Sequence, residues 1–184
     1  KLAAGRYIRF LVQAYFSQPK HHREIYHWIR ANAPVLRIAE IGIGDARRAS
    51  QIIQFAKLYA EEGQIDYLGI DMFEGRPSQD GVPLKTAHKL LHSLGAKAKL
   101  VPGDAAMALP RVANGFSQVD LLIISADQDA DGVRSALSWV PRMLHEKSLV
   151  LWEVKDAATS TLTYQRLTMG QVAELARPVM ARAA

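Results

Sequence analysis

The heptapeptide Glu40-Ile41-Gly42-Ile43-Gly44-Asp45-Ala46 follows a short apolar run and precedes a helical pattern. Glycines at such a junction let the backbone turn tightly and approach a ligand closely. The amides at the start of the helix behind them favour negative groups. A tight strand-to-helix turn needs the same glycines for its own sake. Asp71 ends the next apolar run, Tyr67-Leu68-Gly69-Ile70-Asp71. A carboxylate there accepts both hydroxyls of a ribose. Asp104 follows a third run in Leu100-Val101-Pro102-Gly103-Asp104-Ala105. It has the position to accept a hydrogen bond from an adenine amino group, or to cap the helix that starts at Ala105. Glu40 falls inside the crevice near the first turn.

Two further constellations have metal-like spacing. Asp127-Gln128-Asp129-Ala130-Asp131-Gly132 matches the first half of a calcium loop. Its twelfth position is Ser138 rather than a bidentate Glu, and it follows a strand pattern, so carboxylates favoured by a helix dipole are expected instead. His21, His22 and His27 lie with Glu24 on a basic stretch; His22 and His27, five apart, do not stack on one helical face. They read as solvated residues. No metal site is therefore expected. The absence of cysteine excludes disulfides, zinc ribbons and thiol nucleophiles. Neither a Gly-x-Ser-x-Gly elbow nor a phosphate-loop motif occurs.

The elements that must position these groups alternate in type. Strand patterns occupy Val35–Ile41, Ile65–Ile70, Ala98–Val101, Val119–Ile124 and Leu149–Val154. Helical patterns occupy Ala46–Glu61, Pro83–Leu94, Ala105–Ala113 and Val133–Leu144, with Gly63 and Gly95 at helix-ending positions. This alternation predicts a Rossmann-like, doubly wound α/β fold: a mostly parallel sheet with helices on both faces and ligands at the strands' carboxyl ends. Before it, residues 3–16 carry a helical stripe. Ser17-Gln18-Pro19 breaks it, and a second helix runs to about Asn32 with Ile25, Trp28 and Ile29 inward. The expected organisation is a helical cover over residues 1–34 on a domain of residues 35–184, one structural unit overall. In the tail, Ala157–Met169 reads as a helix and Gln171–Ala176 as a final strand.

Composition sets the outer limits. With 49% hydrophobic and 22% charged residues, the chain is globular rather than disordered. Its apolar runs, such as Leu121–Ile124, are far too short to span a bilayer. No signal-peptide pattern opens the sequence, and a cytoplasmic location is expected. The net charge of +5 is concentrated at the start. Seven basic residues and one acid, Glu24, fall within the first 39 positions. Regular apolar stripes there predict a docked cover whose Tyr7, Leu11, Phe16 and Trp28 pack inward, with only weak nucleic-acid affinity.

Taken together, the order Glu-x-Gly-x-Gly, strand-end Asp, Gly-Asp-Ala resembles the class I S-adenosylmethionine-dependent methyltransferases over about Val35 to Asp156. Asp71-Met72-Phe73-Glu74-Gly75-Arg76-Pro77 is similar to a segment of the macrocin-type sugar O-methyltransferases. The region from Ser125-Ala126-Asp127 to Leu144 is similar to the fourth-strand region of small-molecule methyltransferases. The resemblance implies S-adenosyl-L-methionine as cofactor, held by Glu40, Ile41, Gly42, Gly44, Asp71, Met72, Gly103, Asp104, Ala105 and Ser125. It also implies a small-molecule methyl acceptor, with Asp127 as the base that removes the hydroxyl proton. The sequence departs from the family at Ala46 in place of a third glycine, at Ser125 and Gln128, and at His145-Glu146-Lys147-Ser148. An acid usually stands at position 125, so its absence implies a reaction insensitive to chelators. Two alternatives carry other expectations. One is a non-catalytic S-adenosylmethionine-binding module with a protein or nucleic-acid partner. The other is an NAD-dependent oxidoreductase, for which Arg47 and the 27-residue spacing from Gly44 to Asp71 are out of pattern.

Overall fold

A computed structural model describes residues 2–60, 63–77 and 80–176. Its six-stranded sheet consists of β1 (Arg37–Ile41), β2 (Ile65–Asp71), β3 (Ala96–Pro102), β4 (Val119–Ile124), β5 (Leu144–Lys155) and β6 (Leu162–Leu167). The order is β3-β2-β1-β4-β5-β6; β1 to β5 run parallel and β6 pairs antiparallel with β5. The predicted Rossmann-like α/β fold is therefore observed. Strand order reverses between β1 and β4, where loops leave in opposite directions and open a crevice at the carboxyl ends.

The helices are α1 (Leu2–Leu11), α2 (Arg23–Ala31), α3 (Arg47–Lys57), α4 (Leu84–Ser93), α5 (Ala105–Val112), α6 (Ala130–Ala136) and α7 (Met169–Leu175). Period-2 alternation sends strand residues to two cores. Ile38, Tyr67, Leu121, Ile123 and Leu151 pack with α2, α3 and α4. Ala39, Ile41, Leu68, Ile70, Leu122 and Ile124 pack with α5, α6 and α7. Because both faces are covered at the centre of the sheet, β1, β2, β4 and the middle of β5 are buried almost throughout, whereas the edge strands β3 and β6 alternate or face outward.

Several sequence expectations are corrected. Residues 157–159 form a turn and Leu162–Leu167 is β6, not a helix; an Asp156-centred turn, whose Oδ1 accepts the amides of Ala158 and Thr159, folds the chain back on β5. Met169–Leu175 is a helix, not a strand. Thr168 caps it in a reciprocal box with Gln171, a start signal the reading missed. Leu144 opens β5 instead of ending the helix that begins near Val133; α6 stops at Ala136, and a tighter helical stretch, Leu137–Arg142, with Pro141 inside it, leads to the strand. Gly95, at φ +78°, ends α4 as expected, whereas α3 ends at Lys57, well before Gly63; Glu61, in its expected range, lies outside the described residues.

The N-terminal helices share the core of α3. Ile25, Tyr26 and Ile29 are fully buried, and Tyr26 donates to Gln51 Oε1 at 3.1 Å. Leu11 and Trp28 pack against this core as predicted, but Tyr7 and Phe16 are exposed. The α1 stripe is interrupted by a π-helical stretch, Val12–Phe16, which rotates the face that the period predicts and turns Ala14 inward instead.

Candidate functional site

Two polar clusters lie at the carboxyl ends of the central strands. The first is built on Asp71. This side chain is buried, and each of its oxygens is taken. Oδ1 accepts the Phe73 amide at 2.8 Å and Arg76 Nε at 2.6 Å. Oδ2 accepts the amides of Ile43 at 2.6 Å and Gly44 at 2.9 Å, and a further bond from Arg76 Nη2. Five donors on two oxygens leave no lone pair spare. Burial alone would raise this carboxyl's pKa, but the Arg76 guanidinium and the Gly44 and Phe73 amides hold it below the usual aspartate range. Asp71 thus ties β2 to the first turn, which sequence reasoning did not foresee.

Arg76, itself buried, bridges outward to Asp127 Oδ2 at 2.5 Å. Asp127 also accepts from Gln128 Nε2 at 2.9 Å. Burial would raise its pKa; Gln128 and Arg76 reverse that and lower it. The remaining carboxylates of the calcium-like loop do not converge with it. Asp129 caps α6 through the Gly132 amide, and Asp131 pairs with Arg134.

The turn between the clusters is Gly42-Ile43-Gly44. Gly42 adopts φ +88°, and a Cβ on it would meet Ser125 Cβ at 2.7 Å and Asp127 Oδ1 at 2.9 Å. Glycine is therefore needed there so that the β4 loop can close over the turn. Gly44, at φ +60°, has open space where a Cβ would project, a cradle for a ligand's close approach. Ala46 holds φ +61°, a region in which the family's glycine would be unstrained.

The second cluster joins the predicted Glu40 and Ser125 to Arg48, Glu153, His21 and His22, a meeting the sequence did not foresee. Glu40 is fully buried beneath the turn, bonded to Arg48 Nε at 2.5 Å and to the Tyr67 hydroxyl at 2.7 Å. Burial, then Glu40, pushes the Tyr67 hydroxyl's pKa well up. Arg48 also donates to the Gly42 carbonyl at 3.0 Å and to Glu153 Oε2 at 3.3 Å. Glu153, on β5, receives Ser125 Oγ at 3.2 Å and the Ala126 amide at 3.1 Å. His21 and His22 approach its other oxygen. They are largely buried rather than solvated, because the segment between α1 and α2 folds onto the sheet end. Burial would raise the Glu153 carboxyl's pKa, but both imidazoles, Arg48 and the Ala126 amide hold it well below its ordinary value. Glu153 is a charged residue in the apolar run Leu149–Val154, the signal that would have found it, whereas Arg48, the second residue of α3, sits in a polar stretch that carries no such signal.

A cavity of about 270 Å³ opens above this second cluster. Gly42, Gly44, Asp45, Arg48, Gln51, Ser125, Glu153 and His22 are among its lining residues. Of the other predicted site residues, Ile41 is buried in the lower core and Met72 is exposed. Gly103, at φ +128°, donates its amide to the Asp71 carbonyl at 2.9 Å. Asp104 caps α5 through the Met107 amide at 2.8 Å, and Ala105 behind it is buried.

No protein-family model and no curated protein matches the sequence. Solved structures do match in fold. The apo TDP-rhamnose 3'-O-methyltransferase of calicheamicin biosynthesis is 14% identical, with a TM-score of 0.56 over 81% of this chain and 69% of that one. A TehB-like methyltransferase from Corynebacterium glutamicum is 16% identical, with a TM-score of 0.50 over 95% of this chain and 79% of that one. A candidate protein-L-isoaspartate O-methyltransferase from Plasmodium falciparum, complexed with S-adenosyl-L-homocysteine, is 13% identical, with a TM-score of 0.51 over 83% and 72%. The fold is thus the one used by S-adenosylmethionine-dependent methyltransferases. Among the described residues no helix is long and apolar enough to cross a membrane.

Proposed function

We propose that the chain is an S-adenosylmethionine-dependent methyltransferase that O-methylates a small molecule, with residues 1–34 covering the crevice. The observation that carries this is the glycine turn at the switch point. Gly44 presents an open, left-handed backbone position beside a cavity bordered by Ser125, at the crevice where this fold places ligands.

The residues fit the cofactor at the first turn, where Gly42, Gly44 and Ser125 would hold its methionine part above buried Glu40 and Ile41. Met72, Gly103, Asp104 and Ala105 would flank its adenosine part. Asp71 fits the ribose only if Arg76 yields its bonds, since its oxygens are otherwise saturated. When bound, S-adenosylmethionine supplies a methyl group on a sulfonium centre. The chain's own contribution is to hold the acceptor oxygen in line, the positioning that supplies much of the rate in bimolecular steps. Asp127 takes the hydroxyl proton. With Arg76 and Gln128 holding it acidic it is a weak base, because an effective base has a pKa near the working pH.

Calorimetry tests the reading. S-adenosylmethionine or S-adenosylhomocysteine should bind, and NAD should not; heat from NAD alone would move the chain to the oxidoreductases. If the site is catalytic, Asp127→Asn should lower turnover on order of 10²-fold, the usual contribution of a general base, with cofactor affinity unchanged. A binding module would bind cofactor and turn over no hydroxyl acceptor.

A further inference from the structure

The two oxygens of Glu153 face different surroundings. Oε2 is held by Ser125, Ala126 and Arg48. Oε1 faces two imidazoles: His21 Nε2 at 2.6 Å and His22 Nε2 at 3.7 Å. One ligand atom from each of these three residues lies within 4.8 Å of the others. A tetrahedral ion with bonds of about 2.0–2.1 Å keeps neighbouring ligand atoms about 3.3 Å apart. The two imidazole distances bracket that separation.

The surroundings already orient the three side chains. Tyr164 of β6 packs edge-on to His21 at 4.9 Å and parallel to His22 at 6.0 Å between ring centroids. Ser125 and Ala126 fix the carboxylate, as partners outside a metal's ligands do. Charge points the same way. Arg48 serves both Glu40 and Glu153, so one guanidinium faces two carboxylates and a further positive charge is called for beside Oε1. An imidazolium on His21 would supply it but would leave His22 unexplained. That ring is buried; its Nε2 is too far from Oε1 for a hydrogen bond, and its Nδ1 has no partner among the described residues.

We propose that His21, His22 and Glu153 bind a divalent transition-metal ion of the zinc class, with an open coordination position toward the crevice. Two imidazoles with one carboxylate suit first-row ions such as zinc, nickel or iron(II), whereas magnesium and calcium require oxygen ligands. Three protein ligands, two of them (His22 and Glu153) lining a cavity, match sites that keep a position for water or substrate. This reading replaces the expectation of no metal. The metal would share its cavity with the proposed cofactor, but the two readings fail separately, because titration with S-adenosylmethionine tests one and titration with zinc the other.

The experiment is calorimetric titration of the chelator-treated full chain with zinc chloride, and separately with magnesium and calcium chloride. One zinc per chain should bind, with no heat from the other two salts. His21→Ala and Glu153→Gln should each weaken binding on the order of 100-fold or more, since even partners outside the ligand set are worth 10- to 100-fold. The exposed pair His88 and His92, stacked 6.2 Å apart on α4, is the control: His88→Ala/His92→Ala should change nothing. Cobalt should give visible d–d absorption that His21→Ala abolishes; this variant lies outside the apolar core and serves if Glu153→Gln does not fold. No zinc binding, binding unchanged in His21→Ala, or binding lost with the α4 pair would each overturn the site.

Discussion

Asp71 and Glu153 occupy comparable places, toward the carboxyl ends of strands on either side of the switch point, yet they are used in opposite ways. Asp71 gives every lone pair to the protein: two amides of the glycine turn, the Phe73 amide and Arg76. Glu153 commits one oxygen to Ser125, Ala126 and Arg48 and turns the other to two imidazoles, of which His22 borders a cavity. Position in the fold therefore does not decide a carboxylate's role. What decides it is how many donors the surrounding loops bring. The β2 side is closed by its own chain, and the β5 side is left with chemistry to offer.

The largest effect should come from the residue that joins Glu40 to Glu153. Arg48→Met would leave both buried carboxylates without their guanidinium. Breaking a buried pair in this way costs about 3–5 kcal/mol, measurable by urea denaturation. A loss below about 1 kcal/mol, the level of a surface pair, would show that the network is not a structural requirement.

Asp71→Asn keeps the shape but removes the charge that Arg76 and three amides face. A loss of about 1.5–3 kcal/mol is expected, the range for hydrogen bonds to a charged group. The pH dependence has a definite sign. The folded carboxyl lies below the ordinary aspartate range, so its contribution is complete above that range and fades as the pH falls through the folded pKa. The stability gap between the wild-type chain and Asp71→Asn should therefore be constant near neutrality and close in acid. A gap that widens in acid would mean that the carboxyl is raised instead.

The smallest effect sharpens the contrast at an exposed site. Asp104→Ala removes one cap bond to Met107 and should cost about 1 kcal/mol. If it also weakens S-adenosylmethionine binding, Asp104 touches the cofactor as well as capping α5. Unchanged affinity would leave it a cap alone.

The alternation of strands and helices, the parallel sheet and the place of the glycine turn are legible in the order of the amino acids. Those features are local: apolar period, turn glycines and strand length act within a few residues of one another. The same order places Asp71 at the end of β2 and Asp104 just before α5, but bond saturation is a property of several loops at once. The tail was misread because β6 gains its identity from pairing with β5, a partner that its own composition does not reveal. Only the tertiary structure joined His21 to Glu153, 132 residues apart in sequence. A buried polar cluster is specified by which segments meet at the sheet's end, and no period or spacing in the chain encodes a meeting across such a distance.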